Sequence, residues 1–195
     1  MIGLRALVPY AKPAPVAAPA CELCGAPIGE AHRHVIELAH GPRGVRCACG
    51  ACGILFDRGG SRFRTVPDRV LADPAFALAP TELGIPVGLA FLVRSGGTTL
   101  VGYPGPAGIT DAELAEGTWE RLVAATPLAR ELVDAVEALL VYGERGAQRL
   151  ECYLVPVTRA YELAARLRAS WQGIAGGDAA HAELAGFFAG LRGAR

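Results

Sequence analysis

The cysteines between positions 21 and 52 constrain this chain more than any other feature of its sequence. Cys21 and Cys24 form one C-x-x-C-G motif, and Cys49 and Cys52 form a second. The glycine after each pair suits the left-handed backbone of a metal-binding knuckle, in which N–H groups turn toward the thiolate sulfurs. Four thiolates complete a tetrahedron around Zn²⁺ and leave no position open, which is typical of a structural site. We therefore predict that these four cysteines bind one metal ion.

Three further residues in this region are alternative ligands. Cys47 precedes the second motif, so a Cys47/Cys49 pair could bind in place of Cys49/Cys52. We expect Cys47 not to coordinate this ion, because the later pair has the glycine-flanked spacing. His32 and His34 are two residues apart, which puts both on one face of a strand. Either could replace a cysteine, or both could join Cys47 in a second site. The simpler interpretation is that they are surface groups or hydrogen-bond partners of the ligands.

The motif spacing is compatible with two metals. Fe²⁺ and Zn²⁺ both accept four thiolates in a tetrahedron, and rubredoxins hold a single iron with the same paired motifs. Iron would make the protein a one-electron carrier, whereas zinc, which has no redox chemistry, would be structural. We expect zinc, the commoner ion where such a pair is attached to a larger domain, and keep iron as the alternative.

The charge balance argues against general affinity for nucleic acid. The chain has 19 basic and 19 acidic side chains, and a protein that binds the phosphate backbone usually carries a positive excess. A nucleic-acid-binding zinc ribbon remains a second alternative because several arginines surround the cysteines, namely Arg43, Arg46, Arg58, Arg62 and Arg64.

Residues 1–20 are predicted to form a flexible tail. Their apolar stretch is interrupted by Pro9, Lys12, Pro13 and Pro15, so it lacks the continuous core of a secretion signal. No run of 18 or more apolar residues occurs anywhere in the chain, which predicts no membrane span. We therefore expect a cytoplasmic protein, and in that compartment clustered cysteines bind metals more often than they form disulfides.

Residues 21–66 are predicted to form a small zinc-ribbon-like β module. Short strands are indicated at 34–38, at 45–47 and at 62–66, where polar and apolar residues alternate. A module of this size buries too little apolar surface to fold without a metal ion or another cross-link, so we expect metal binding and local folding to be coupled.

Residues 67–195 are predicted to form an α+β domain with two β-hairpins and three to four helices. Residues 88–94 and 98–103 flank Ser95-Gly96-Gly97, which favours a type I′ turn. Residues 136–142 and 150–155 are predicted to form a second strand pair. Helix starts are predicted from a Thr-x-x-Glu capping box and from other capping residues at Thr110–Glu113, Thr126-Pro127, Thr158 and Asp178.

The sequence contains no recognisable catalytic motif, so we favour a non-catalytic protein. A glycine-rich phosphate loop, a G-x-S-x-G elbow and an H-E-x-x-H helix are all missing. Cys152 lies in a predicted strand and is interpreted as a small buried apolar residue. His40 and His181 are not close in sequence to another ligand and are interpreted as solvated or packed.

The chain resembles a bacterial family, a domain of unknown function, over nearly all of its length after the tail. The resemblance is carried by residues 21–25, 32–34, 47–52, 55–58, 85–87, 136–141 and 187–188. Members of that family tend to be encoded beside NiFe-hydrogenase structural and maturation genes of actinobacterial type. The resemblance implies an accessory protein of hydrogenase assembly or electron transfer, with a hydrogenase subunit or maturation factor as partner. The family pattern also has three cysteines at Cys47, Cys49 and Cys52, so it leaves the fourth ligand open.

Overall fold

Two antiparallel sheets with flanking helices make up the part of the chain that the computed structural model describes, residues 18–58, 62–84, 88–144, 147–173 and 176–193. This confirms the predicted α+β class. The small sheet has the order β2-β1-β3, with β1 (Arg33–Glu37), β2 (Val45–Ala48) and β3 (Phe63–Thr65). The predicted tail up to residue 17 and the stretch 85–87 lie outside the described residues.

The large sheet has six strands in the order β4-β9-β8-β5-β6-β7. Its strands are β4 (Leu71–Asp73), β5 (Leu89–Ser95), β6 (Thr98–Gly105), β7 (Gly108–Glu113), β8 (Glu137–Tyr142) and β9 (Glu151–Pro156). The helices are α1 (Gly50–Leu55), α2 (Pro80–Leu83), α3 (Thr118–Ala125), α4 (Leu128–Glu131), α5 (Val157–Ser170) and α6 (Gly177–Gly193), and a 3-10 segment covers Leu38–Arg43.

The central strands of the large sheet are buried on both faces. Phe91 on β5 pairs with Leu140 on β8, and both pack beneath α5 and α6. The next pair, Leu92 and Leu139, points to the opposite face and packs with α3 and α4. Successive side chains of a strand point to opposite faces, so the sequence of a strand that is covered on both faces is a continuous apolar run. The result is a sheet between two layers of helices.

The two predicted hairpins are present, β5–β6 and β8–β9. Gly96 and Gly97 both have positive φ, 59° and 86°, as a type I′ turn requires. The predicted helix start at Thr110–Glu113 is wrong, because these residues belong to β7 and pair with β6. A tight turn with Gly108 at φ 106° returns the chain, and the next helix begins only at Thr118, after Gly117.

The predicted helix cap at Thr158 is also wrong. Helix α5 begins at Val157, directly after Pro156, so Thr158 lies inside the first turn and no side chain caps the helix. Asp178 likewise lies in the first turn of α6. Among the described residues, none of the helices combines the length and apolarity needed to cross a bilayer.

Strand β1 is buried on both faces, and each face belongs to a different core. Val35 packs with Cys21 and Ala48 beside the cysteine cluster. Ile36 points the other way and joins the core of the large sheet and α5. The small sheet therefore holds the cysteines on one side and rests against the larger part of the protein on the other.

Candidate metal centre

The structure brings the four predicted cysteines together. Cys21 and Cys24 lie in a loop closed by a bridge between Ala20 and Pro27, and Cys49 and Cys52 lie at the start of α1. The four Sγ atoms all lie within 4.8 Å of one another. Metal–sulfur bonds of ~2.3 Å in a tetrahedron place the sulfurs about 3.8 Å apart, and Cys24 Sγ lies 3.7 Å from Cys49 Sγ. These four cysteines could hold a metal ion.

The first motif has the predicted knuckle geometry. Gly25 has φ 75°, in the left-handed region, and its N–H donates to the carbonyl of Cys21 at 2.8 Å. The Cys21 N–H in turn donates to the carbonyl of Ala26 at 2.7 Å. Glycine is therefore required here by its backbone conformation.

The second motif differs from the prediction, because Gly53 is not left-handed. It lies inside the short helix α1, where its N–H donates to the carbonyl of Cys49 at 2.9 Å. A Cβ at this position would lie 2.8 Å from the Cβ and Cγ of Arg33. The hydroxyl of Thr65 donates to the Gly53 carbonyl at 2.5 Å. Glycine is needed here for the close packing of α1 against β1.

The thiols influence one another's proton affinity. The backbone N–H of Cys49 donates a hydrogen bond that lowers the pKa of Cys21 to about 6. The pKa of Cys52 rises to about 12, first because of its hydrogen bond with Cys24 and then because of burial. Four adjacent thiols cannot all ionise in the absence of a counter-charge. A cation at their centre replaces the protons, so metal binding and deprotonation are coupled.

Cys47, His32 and His34 form a separate group. Cys47 lies on β2 directly opposite His34 on β1, and the sulfur and one nitrogen of each ring are within 4.8 Å of one another. This group is distinct from the four thiols around Cys21. The pKa of His34 is lowered, first by burial and then by the neighbouring His32, and burial raises the pKa of Cys47.

The arginines around the cysteines are largely engaged in contacts within the protein. Glu37, whose side chain is mostly buried, accepts hydrogen bonds from Arg46 and Arg62. Arg46 holds the pKa of Glu37 below its usual range, and Arg62 adds to this effect. Arg43 pairs with Asp111, and Arg64 donates to the carbonyl of Asp134. Contacts of this kind leave less free positive charge for a nucleic-acid backbone.

The remaining cysteine and histidines lie apart from the metal-binding groups. Cys152 is 1% exposed, and burial raises its pKa to about 12. This confirms its interpretation as a buried apolar residue. His181 Nδ1 lies 2.7 Å from the carbonyl of Gly177, and His40 lies near Glu37.

A contact that was not predicted from the sequence joins the first motif to β2. The Glu22 carboxylate accepts a hydrogen bond from the Cys47 N–H at 2.5 Å, and the Glu22 N–H donates to the Cys47 carbonyl at 2.9 Å. These bonds dock the Cys21–Cys24 loop onto the strand that leads to Cys49. The acidic residue inside the first C-x-x-C motif was the only signal in the sequence, and it does not specify a partner.

A family of proteins is identified for most of the chain. The model of a family described as "Family of unknown function (DUF5947)" matches residues 20–195. No curated protein and no solved structure matches the chain. The matched range includes both cysteine motifs and the whole large sheet.

Proposed function

The chain belongs to the family of unknown function DUF5947, and from its own site we propose that it is a non-catalytic protein in which four cysteines hold one zinc ion. The observation that carries this proposal is the convergence of four Sγ atoms within 4.8 Å. Four protein ligands leave no coordination position for a substrate, so the ion would be structural. It would join the Cys21–Cys24 loop to α1.

A single iron is the alternative occupant, since the same four sulfurs suit a rubredoxin-like site. Metal analysis of protein purified without added metal separates the two, because ferric iron with four thiolates is red and zinc is colourless. We expect about one zinc per chain at this site, lost in Cys24→Ser and retained in Cys152→Ala. Iron at this stoichiometry would make the protein a one-electron carrier. Absence of any metal lost in Cys24→Ser would refute the proposal.

We further propose that α1 docks on a protein partner. Ile54 and Leu55 are 75% and 70% exposed, next to the metal ligand Cys52. Large exposed apolar side chains are typical of protein-interaction surfaces. The resemblance described above implies a NiFe-hydrogenase subunit or maturation factor as the partner, and an accessory role in hydrogenase assembly or function.

Affinity purification of tagged protein from a host that makes the hydrogenase tests this interface. A hydrogenase component should be recovered with the wild type but not with Ile54→Ser/Leu55→Ser. Val133→Ser is the control, since Val133 is also an exposed apolar residue, at 37%, but lies before β8. Equal recovery with all three proteins, or recovery with none, would argue against the docking proposal.

A further inference from the structure

A second group of metal-binding side chains lies where β1 and β2 pair. His34 and Cys47 are opposite one another in the strand register, and the ring centroids of His32 and His34 are 4.7 Å apart. One nitrogen of each ring and Cys47 Sγ lie within 4.8 Å of one another. We propose that these three side chains bind a second Zn²⁺ ion, separate from the ion at the four cysteines.

Backbone carbonyls hold His32 in a single tautomer, with Nε2 left to bind a metal. Its Nδ1 lies 2.9 Å from the carbonyl oxygen of Gly29 and 3.1 Å from that of Glu30. A carbonyl oxygen only accepts hydrogen bonds, so Nδ1 carries the proton and Nε2 has a free lone pair. A ring fixed through one nitrogen by a backbone carbonyl, with the other nitrogen free, is typical of histidines that bind metals.

The free nitrogen of His32 is also buried. Nε2 has no hydrogen-bond partner among the described residues. A buried acceptor without a partner costs free energy, and native proteins seldom leave one unsatisfied. A metal ion bound to Nε2 removes this cost. The burial therefore points to a ligand independently of the clustering of the three side chains.

The third ligand is held in place by the first cysteine motif. Both backbone groups of Cys47 are hydrogen-bonded to Glu22, its N–H to the carboxylate and its carbonyl to the Glu22 N–H. Glu22 follows Cys21, so the loop that carries two of the four cysteines also fixes Cys47. The Glu22 carboxylate adds negative charge beside the site, which favours a cation.

The chemistry of this site differs from that of the four cysteines. Two imidazoles and one thiolate are three protein ligands, which leaves a fourth position for water or another exchangeable ligand. Binding displaces the proton of the Cys47 thiol to solvent, and the imidazoles bind in their neutral form. The proposal extends beyond the structural zinc described above, because an ion with an open position can exchange ligands.

Zinc counting on the full chain tests the second site. Protein equilibrated with Zn²⁺ and freed of unbound ion should hold two ions per chain in the wild type and one in Cys47→Ser or in His34→Gln. His181→Gln is the matched control, since its Nδ1 also contacts a backbone carbonyl but it lies away from both clusters. It should hold two. One ion in the wild type and an unchanged count in Cys47→Ser and His34→Gln would overturn the proposal.

Titration with Co²⁺ tests the second site and the four-cysteine site separately. Thiolate-to-cobalt absorption scales with the number of thiolates, so the second equivalent of Co²⁺ should add about a quarter of the intensity of the first. This weaker band should disappear in Cys47→Ser while the stronger one persists. If the wild-type spectrum lacks the stronger band but shows the weaker one, only the structural zinc site is refuted. Loss of the strong band in Cys47→Ser would overturn the second site, since Cys47 would then belong to the first.

Discussion

Glu137 on β8 is a fully buried carboxylate. Its oxygens accept hydrogen bonds from Arg69 Nε at 2.6 Å, from Arg69 Nη2 at 2.9 Å and from the Val133 N–H at 2.9 Å. A charge removed from water needs partners of this kind, because its desolvation is otherwise uncompensated. Arg69 precedes β4, so this pair ties the segment after the small sheet to the centre of the large sheet.

We predict that Arg69→Ala destabilises the fold because it leaves the Glu137 carboxylate buried without its charged partner. Breaking a buried pair costs about 3–5 kcal/mol, and the partial exposure of Arg69 reduces this to roughly 2–3 kcal/mol. Urea unfolding would measure it. The control is Arg166→Ala, which removes surface pairs with Glu162 on α5 and Glu183 on α6. That change should cost at most about 0.5 kcal/mol. Similar midpoints for the two variants would contradict the prediction.

Residue spacing explains why some side-chain roles could be predicted from the sequence. A C-x-x-C motif specifies the ligand type and keeps two thiols close within four residues, so the clustering of Cys21, Cys24, Cys49 and Cys52 was predictable. The backbone at Gly53 was not, because it is helical where a left-handed residue was expected. The contact between Glu137 and Arg69 joins positions 68 residues apart. No local pattern specifies such a pair. The same holds for the Nε2 of His32, which has no partner within the described part of the chain because of the way the segment before β1 packs.

At the level of elements, strands were predicted better than helix starts. The runs of β5, β8 and β9 are short and largely apolar, and β6 contains three β-branched residues. Runs of this length bounded by turn residues indicate strands without knowledge of their partners. Helix caps are short polar motifs that also occur in strands and turns. The Thr110–Glu113 motif was therefore misassigned, because pairing of β7 with β6 outweighed its capping potential.

Substitutions at the two glycines of α1, Gly50 and Gly53, test how closely the second motif packs against β1. A Cβ at Gly53 would lie 2.8 Å from the Arg33 Cβ, whereas nothing lies within 4 Å of a Cβ at Gly50. Gly53→Ala should therefore destabilise the zinc-loaded protein by about 1–3 kcal/mol through overpacking. Gly50→Ala should stabilise α1 by up to about 1 kcal/mol, since alanine is the better helix former.

The two glycine variants should also differ in metal retention. Competition with a chelator would show zinc leaving Gly53→Ala at a lower chelator concentration than Gly50→Ala, because a displaced α1 moves Cys49 and Cys52. Identical behaviour of the two variants would mean that β1 and α1 can separate without strain.

At the level of the whole molecule, the small sheet is connected to the large one by more than chain continuity. Ile36 contributes to the core beneath α5, and Arg64 donates to the Asp134 carbonyl at 3.1 Å. Arg43 pairs with Asp111 on β7. These contacts could not be predicted from the sequence, since they depend on the relative placement of elements more than 60 residues apart. The boundary between residues 66 and 67 stays a prediction, and these contacts define how to test it.

We predict that a strong chelator, or Cys24→Ser, removes hydrogen-exchange protection from residues 21–66 while β5, β8 and β9 keep theirs. In the core beside the cysteines, the buried side chains are the small ones of Cys21, Val35 and Ala48, and the larger side chains around them are only partly buried. Burial therefore contributes too little to offset the chain entropy of this module without metal. The large sheet has its own core on both faces. Strand β1 is the informative probe, because Ile36 belongs to that larger core. Loss of β1 protection together with the cysteine loop would support the boundary at residue 66. Retention of β1 would place it with the α+β domain, and uniform loss across both sheets would show that one core unfolds as a unit.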